Sequence, residues 1–476
     1  MLLIFVHGWS VTDTSTYAKL PEALAEQSHS AGLDIEIQHI WLGRYISFHD
    51  AVSVADVSRA FDAALRDKIP GDNGGIRDFS CITHSTGGPV VREWLDTFYG
   101  ASDLINSPLR HLVMLAPANH GSSLAALGKE RVGRIKAWFA GVEPGQRILD
   151  WLSLGSLQQF EAAQAYLQYK PTDSNFFPFV LTGQAIDKKL YDFVNSYLVE
   201  KGSDGVVRVA GANLNYSMIK LEETENTEEV DHGSDKLTVN LLKANNSIKR
   251  PLTTALGVIP KASHSGKDKG IMGSILSKTN KKPQVGEILE CLSVNSTEDY
   301  KNRTKALEKL TLETQKGEHR YLMLVFNIKD NQGDPVTDYD LFLLAGNSHN
   351  PDKLSKGFFI DRQRNATNPN HLVYYVDYDV IIKNQLTGFR IIARPDEGFA
   401  FYHIVEYRSD GVDLNASLKP NETFYIEVEL LRRVDKNVFG LDKTTDYDLK
   451  GTGGFFNPYT RNSFKDIKPL GVEIDE

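Results

Sequence analysis

The stretch FSCITHSTGGPVV, residues 79–91, has the pattern of a buried strand, a tight turn of small residues around Ser85 and the start of a helix. Gly87 and Gly88 carry no side chains, so a helix that begins there can pass close to the strand that it follows. Pro89 suits the first turn of that helix, where a backbone N–H has no helical acceptor in any case. The stretch therefore predicts a strand followed directly by a helix, the repeating unit of a parallel α/β sheet.

The remainder of the first half alternates short apolar runs with amphipathic stretches, which again indicates strands alternating with helices. We expect strands at Leu2–Val6, Ile35–Trp41, Phe79–Ile82, Leu112–Leu115, Phe179–Leu181 and Val206–Val209, and helices at Tyr17–Gln27, Ala51–Leu65 and Val90–Phe98. Residues 122–175 include an insertion that exceeds ordinary loop lengths and has helical spacing, so we expect a helical cap there. Its Trp138 and Trp151 either line a substrate site or pack on the core.

The second half has a different pattern. Residues 222–282 are polar and interrupted, with an acidic and then a basic run, and are expected to form solvated loops around a few short elements. From residue 283 onward, β-like runs are separated by Gly, Asn, Asp and Pro turns. We therefore predict a first domain at residues 1–282 and a mostly antiparallel, sandwich-like β domain of unknown role at residues 283–476.

Composition excludes several classes of protein. The 476 residues carry a formal net charge of −9, which gives no general attraction to nucleic acid. Cys81 and Cys291 are the only cysteines, so neither a disulfide framework nor a Cys/His metal cluster is expected. Acidic positions such as Asp338 and Asp340, or Asp377 and Asp379, could hold Ca²⁺, although exposed turns account for them as well. We predict no metal and no cofactor.

The N-terminus lacks the basic region and the apolar length of a signal peptide, because Met1 is followed directly by the short run Leu2–Val6. No apolar stretch approaches the roughly 20 residues that a membrane span needs. The expected location is the cytoplasm, or outside the cell by a route that is independent of a signal peptide.

The turn around Ser85 resembles the nucleophile elbow of the α/β-hydrolase superfamily, in which a strained backbone exposes a serine hydroxyl. The superfamily pattern is G-x-S-x-G, and this chain has Thr83 at the first glycine position, which crowds the turn. The resemblance implies an α/β-hydrolase core with a cap. It also implies an oxyanion hole made by the N–H groups of Trp9, after the first strand, and Thr86.

The order of the superfamily's triad is nucleophile, acid, base. Asp204, in Gly-Ser-Asp-Gly-Val, resembles the acid of bacterial lipases, with Asp187 in reserve. His264, in a small polar loop ahead of an apolar helix expected at Ile271–Leu276, is the predicted base, and His232 is its competitor. His84 adjoins the nucleophile and is interpreted as structural.

The segment Leu115-Ala116-Pro117-Ala118-Asn119-His120-Gly121-Ser122 is similar to one found in lipases and in hydrolases of the lecithin–cholesterol acyltransferase and GPI inositol-deacylase group. By this resemblance, His120 borders the pocket, where it either binds substrate or ties the loop down. The resemblance covers roughly residues 1–280.

These features predict a serine hydrolase that cleaves carboxylic esters, with lipids or phospholipids as substrates and transient contact with a membrane surface. A small-molecule esterase or thioesterase, and a non-catalytic binding protein with a degenerate hydrolase domain, are the alternatives. A lipase core without a signal peptide and with an appended β domain also resembles bacterial phospholipase effectors, for which a neighbouring immunity protein is expected.

Overall fold

Two β-sheets organise the chain. The computed structural model describes residues 1–7, 14–47, 49–125, 145–186, 200–232, 235–278, 281–354, 356–383, 386–395, 400–409 and 414–434. The strands of the first sheet are β1 (Leu2–His7), β2 (Glu36–Trp41), β3 (Phe79–His84), β4 (Leu109–Leu115), β5 (Phe177–Thr182) and β8 (Ala255–Val258). All their pairings are parallel, in the order β2-β1-β3-β4-β5-β8. The predicted α/β core is confirmed.

Helices cover both faces of this sheet. They are α1 (Leu20–Ser28), α2 (Val54–Lys68), α3 (Gly87–Phe98), α4 (Gln146–Leu152), α5 (Leu157–Tyr166), α6 (Val209–Ala212), α7 (Pro283–Leu292) and α8 (Thr297–Thr314). Two short helices, α9 (Tyr378–Lys383) and α10 (Leu414–Ser417), contact strands of the second sheet instead. Strand β1 is buried along its whole length: Leu3 and Phe5 pack with α1, α7 and α8, whereas Ile4 and Val6 pack with α2 and α3. Burial on both faces explains why β1 is a nearly continuous apolar run.

The second sheet has nine strands, in the order β10-β13-β15-β7-β6-β16-β9-β12-β11. Its members are β6 (Tyr216–His232), β7 (Asp235–Ala244), β9 (Tyr321–Asp330), β10 (Asp338–Ala345), β11 (Phe359–Arg364), β12 (His371–Asp377), β13 (Leu386–Arg394), β15 (Val405–Arg408) and β16 (Thr423–Leu430). A two-stranded ribbon joins β14 (Ala400–Phe401) to β17 (Arg433–Val434). Most pairs are antiparallel, as predicted, but the pairs β15·β7, β16·β6 and β16·β9 are parallel, so the sheet is mixed.

Several predicted elements take a different form. Val206–Val209 is not the last core strand, because the chain turns there and enters α6, and β8 takes that place in the sheet. Residues 222–232 and 235–244 form long strands rather than loops, and Ile271–Leu276 forms turns rather than a helix. The two sheets also do not follow the predicted division at residue 282. Strands β6 and β7 lie in the second sheet, whereas α7 and α8 pack on the first.

The two sheets share one hydrophobic core. One face of the second sheet contributes Tyr321, Met323, Val373, Tyr375 and Tyr425 to the cluster that also holds α3, α4 and α5. The other face packs within a separate cluster. Helices α4 and α5 therefore lie between the sheets, at the position predicted for the cap. Among the helices at described positions, none combines the length and the apolarity that a bilayer crossing requires.

Candidate active site

Ser85 lies at the sharp turn between β3 and α3. Its φ of 53° places it in the left-handed region, which non-glycine residues rarely occupy. The turn is fixed on both sides: the Ser85 N–H donates to the Leu115 carbonyl at 3.0 Å, and the Ala118 N–H donates to the Ser85 carbonyl at 3.3 Å. A serine held in this conformation at the end of a parallel strand has the geometry of a nucleophile elbow.

The glycines after Ser85 explain how Thr83 is accommodated. A Cβ atom on Gly87 would lie 3.1 Å from the Cβ of Thr83, so the absence of a side chain at residue 87 leaves the room that threonine needs. A Cβ on Gly88 would lie 2.9 Å from the Cβ of Pro117. The helix can therefore pass close to β3 and to the loop after β4, although the first glycine of the usual pattern is missing.

His264 lies between Ser85 and Asp204. Its Nε2 is 3.1 Å from the Oγ of Ser85, and its Nδ1 is 2.9 Å from the Oδ2 of Asp204. The loop that carries His264 closes on itself, since the Ser263 N–H donates to the Lys269 carbonyl and Ser263 in turn accepts from the Ile271 N–H. The structure thus brings together the three residues predicted as nucleophile, base and acid.

Asp204 is fully buried, and each of its polar groups has a partner. Its Oδ1 accepts the N–H groups of Val206 and Val207 at 3.0 and 2.8 Å, which leaves Oδ2 for His264. The Asp204 carbonyl also accepts the backbone N–H of His264 at 3.0 Å. A carboxylate fixed by such partners can hold the imidazole in one tautomer and orientation.

His84 packs against the candidate base. The rings of His84 and His264 are 4.6 Å apart, and the Nε2 of His84 is 3.2 Å from the His264 carbonyl oxygen. Burial, reinforced by His264 itself, holds the pKa of His84 well below its usual value. His84 is therefore a neutral neighbour. The competing base, His232, lies at the end of β6, where it pairs in register with Asp235 of the second sheet.

Thr86 is the N-cap of α3, with φ −68° and ψ −13°. Backbone N–H groups at a helix N-terminus have no acceptor within the helix, so this position suits an oxyanion donor. Trp9, the other predicted donor, lies outside the described residues, as do the reserve acid Asp187 and the cap residue Trp138.

His120 is buried and connects the loop after β4 to the second sheet. Its Nδ1 is 2.7 Å from the hydroxyl of Tyr425 on β16, and its backbone N–H donates to the Gly211 carbonyl. Burial, with a smaller contribution from Arg92, lowers the pKa of His120 to about 3. These contacts favour a role for His120 in holding the loop after β4 in place. Substrate binding by His120 stays a prediction.

A cavity of about 440 Å³ lies on the side of α3 that faces α5. Its lining includes Arg92 and Glu93 from α3, Glu161 from α5, and Trp151 from α4, but neither Ser85 nor His264. Trp151 is also buried in the shared core. Its predicted contact with substrate therefore stays a prediction, and its observed contacts agree with the packing alternative.

The acidic positions considered for Ca²⁺ pair with basic side chains. Asp338 and Asp340 both pair with Arg394, Asp377 with His319, and Asp379 with Arg320. Both cysteines are buried, and burial raises the pKa of each thiol. They therefore have the character of unreactive core residues.

Phospholipase PlaB from Legionella pneumophila is similar to this chain over nearly the whole length of both. A structure of PlaB in complex with thio-NAD is 42% identical, matches 94% of this chain and 97% of the PlaB chain, and has a TM-score of 0.81. A second PlaB structure has 43% identity, with the same coverage and TM-score. The chain belongs to the PlaB phospholipase family. No protein-family model and no curated protein sequence matches it.

Membership of the PlaB family confirms the predicted class of enzyme, a carboxylic ester hydrolase. Sequence reasoning missed the residues of the second sheet that reach the shared core, such as Tyr375 and Tyr425. They lie more than 170 positions from their partners, and no local motif marks them. Only the paired arrangement of the two sheets places them near the site.

Proposed function

We propose that this member of the PlaB family hydrolyses carboxylic ester bonds of phospholipids, with Ser85, His264 and Asp204 as its catalytic triad. The observation that carries the proposal is the hydrogen-bonded series Ser85–His264–Asp204, with distances of 3.1 and 2.9 Å, on a serine with positive φ. The identity of 42% to a phospholipase supports the choice of substrate.

In the first half of the reaction, the Oγ of Ser85 attacks the ester carbonyl while the Nε2 of His264 takes the hydroxyl proton. Asp204 stabilises the imidazolium that forms. The Thr86 N–H, with Trp9 as the proposed second donor, stabilises the oxyanion of the tetrahedral intermediate. His264 then returns the proton to the leaving alcohol, and an acyl-enzyme on Ser85 remains.

In the second half, water replaces the alcohol. His264 takes a proton from the water, the resulting hydroxide attacks the acyl-enzyme, and the proton passes to the Oγ of Ser85 as the fatty acid leaves. The cycle consumes one water and restores the enzyme. These steps require no cofactor.

The decisive experiment compares wild type with Ser85→Ala on phospholipid vesicles, with released fatty acids measured by mass spectrometry. Ser80→Ala is a matched control, because Ser80 is a buried serine on the same strand, bonded to His111 rather than His264. We expect Ser85→Ala to abolish fatty-acid release and fluorophosphonate labelling, and Ser80→Ala to retain both.

Two outcomes would contradict the proposal. Undiminished fatty-acid release by Ser85→Ala would exclude this serine as the nucleophile. A wild type that cleaves short soluble esters, but no phospholipid in vesicles, would favour the small-molecule esterase alternative.

Membrane contact and export extend the proposal, because a phospholipid substrate lies in a bilayer. We expect wild type to co-sediment with phospholipid vesicles. If the chain is a secreted effector, its expression in a bacterial periplasm should be toxic in wild type and harmless in Ser85→Ala. Co-expression of a neighbouring immunity protein should then restore growth, and an active but harmless wild type would refute this role.

A further inference from the structure

The loop that carries Asp204 is held at both ends by residues outside the triad. It runs from Glu200 to Arg208, and an isolated bridge between Ser203 and Arg208 closes it. The Val209 N–H donates to the Gly202 carbonyl at 2.9 Å, next to that bridge. Because the loop is closed at this point, any contact that fixes Gly202 and Arg208 also fixes Asp204 between them.

Tyr375, on strand β12 of the second sheet, holds the first end. Its hydroxyl donates to the carbonyl oxygens of Lys201 and Gly202, at 2.9 and 3.2 Å. Gly202 has a φ of 71°, and a Cβ there would lie 2.5 Å from the Tyr375 hydroxyl and 2.3 Å from the ring of Tyr321. The backbone of the loop therefore rests directly on two tyrosines of the second sheet.

Arg208 holds the second end. Its side chain is only 1% exposed, and its guanidinium lies 4.2 Å from the centre of the Tyr375 ring. It pairs with Glu200 of the same loop and with Asp361 on strand β11. A buried cation with two carboxylates and an aromatic face has little freedom to move, since leaving any partner exposes an uncompensated charge.

We propose that Tyr375 and the Arg208–Asp361 ion pair are positioning residues, through which the second sheet keeps Asp204 at its distance from His264. This inference rests on the proposed function, because it takes Asp204 as the catalytic acid. It gives the second sheet a role in the reaction through contacts with the loop that carries Asp204.

Catalysis tolerates little displacement of the groups that take part in it. A displacement of about 1 Å at a catalytic group can lower the rate by about a hundredfold. Because Asp204 belongs to a nine-residue loop, its place depends on what fixes the two ends. Loss of the Tyr375 hydroxyl should therefore reduce turnover more than it reduces substrate binding or the stability of the fold.

The test compares Tyr375→Phe with Tyr374→Phe. The two tyrosines are neighbours on β12 and face opposite sides of the sheet, and each hydroxyl donates to backbone carbonyls, that of Tyr374 to Leu341 at 2.9 Å. Both variants lose one buried phenol hydroxyl, so their melting temperatures should fall by similar amounts. Only Tyr375→Phe removes a contact with the acid loop.

We expect Tyr375→Phe to lower kcat about tenfold or more with KM changed less than twofold, and to slow fluorophosphonate labelling of Ser85 to the same extent. Tyr374→Phe should stay within twofold of wild type in both measurements. Equal kcat values for the two variants, at similar stability, would overturn the inference.

A second pair of variants keeps the test decisive if Tyr375→Phe does not fold. Asp361→Asn removes the second-sheet carboxylate from Arg208, whereas Asp340→Asn removes a carboxylate that pairs with Arg394 on the same sheet. A kcat reduced only in Asp361→Asn supports the inference, and equal values refute it.

Asp204→Asn separates this inference from the proposed function. If Asp204→Asn retains wild-type turnover, the triad itself is wrong. If Asp204→Asn is inactive while Tyr375→Phe and Asp361→Asn match their controls, the triad stands and the positioning role fails.

Discussion

Replacing Asp204 with asparagine preserves the size of the side chain but reverses its hydrogen bond to His264. The Oδ1 of Asp204 already accepts the N–H groups of Val206 and Val207, at 3.0 and 2.8 Å. An asparagine would keep its carbonyl oxygen on those donors and turn its NH₂ group toward the Nδ1 of His264. That nitrogen must then accept, so the ring proton moves to Nε2, which can no longer take the proton of Ser85.

The expected loss follows from this change of tautomer. Loss of the correct tautomer in a Ser-His-Asp arrangement lowers kcat by about ten-thousandfold, or about 5.4 kcal/mol of transition-state stabilisation at about 1.36 kcal/mol per factor of ten. The geometry of Ser85 should be retained, because its turn is held by Leu115 and Ala118 rather than by the imidazole. We therefore expect an inactive but folded enzyme.

The assay is steady-state hydrolysis of phospholipid vesicles, with Asp330→Asn as a matched control. Asp330 is also buried, and its Oδ1 likewise accepts two backbone N–H groups, from Gln332 and Asp334, at 2.9 and 3.0 Å. Both substitutions replace a buried carboxylate, so both affect stability, but only one is near His264. A kcat for Asp204→Asn within tenfold of the Asp330→Asn value would refute the tautomer argument.

The remaining predictions concern packing and pH. The pKa of His120, lowered to about 3, lies below its unfolded value of 6.5, so its contribution to stability is lost as pH falls from 6.5 toward 3. When the pH is lowered from 7 to 5, the free energy of unfolding measured in urea titrations should fall by about 2 kcal/mol less in His120→Gln than in wild type. An equal fall in the two proteins would contradict this prediction. Gly87→Ala should lower kcat about tenfold by crowding Thr83, and adding Thr83→Gly to this variant should restore kcat. If the effects of the two substitutions are additive in this double-mutant cycle, the packing explanation is refuted. Gly202→Ala should lower the free energy of unfolding by about 3 kcal/mol, because its φ is positive and the new Cβ would clash with Tyr321 and Tyr375. Gly333→Ala should lower it by only about 1 kcal/mol, because Gly333 has a similar φ but open space around it. Equal melting temperatures of the two variants would count against this prediction.

The sequence predicted the grouping of Ser85, His264 and Asp204 better than it predicted the sheets. Each of the two turns has a local signature: glycines follow Ser85, and the Asp204 carboxylate accepts the N–H groups of Val206 and Val207. His264 was preferred over His232 from its small polar loop, and it is the one that lies next to Ser85. The strained φ of Ser85 agrees with the elbow despite the threonine at residue 83.

The differences between the predicted and the observed strands have specific physical causes. Val206 and Val207 have the composition of a strand, but the Asp204 carboxylate takes their N–H groups and bends the chain into a turn. The acidic composition of residues 222–232 predicts loops. In the structure they extend strand β6, and most side chains from residue 225 to 229 are exposed, so no alternation of apolar residues reveals the strand.

The path of the chain connects the second sheet with Asp204 and His264. After Asp204 the chain leaves the first sheet, forms β6 and β7 in the second, and returns through β8 to the loop of His264. Strand β6 pairs in parallel with β16, which lies some 200 residues further along. The acid and the base are therefore joined by a segment whose own pairing depends on the C-terminal part of the chain. The positions of Asp204 and His264 are therefore linked to strand pairing in the second sheet, which no local motif around Ser85 could indicate.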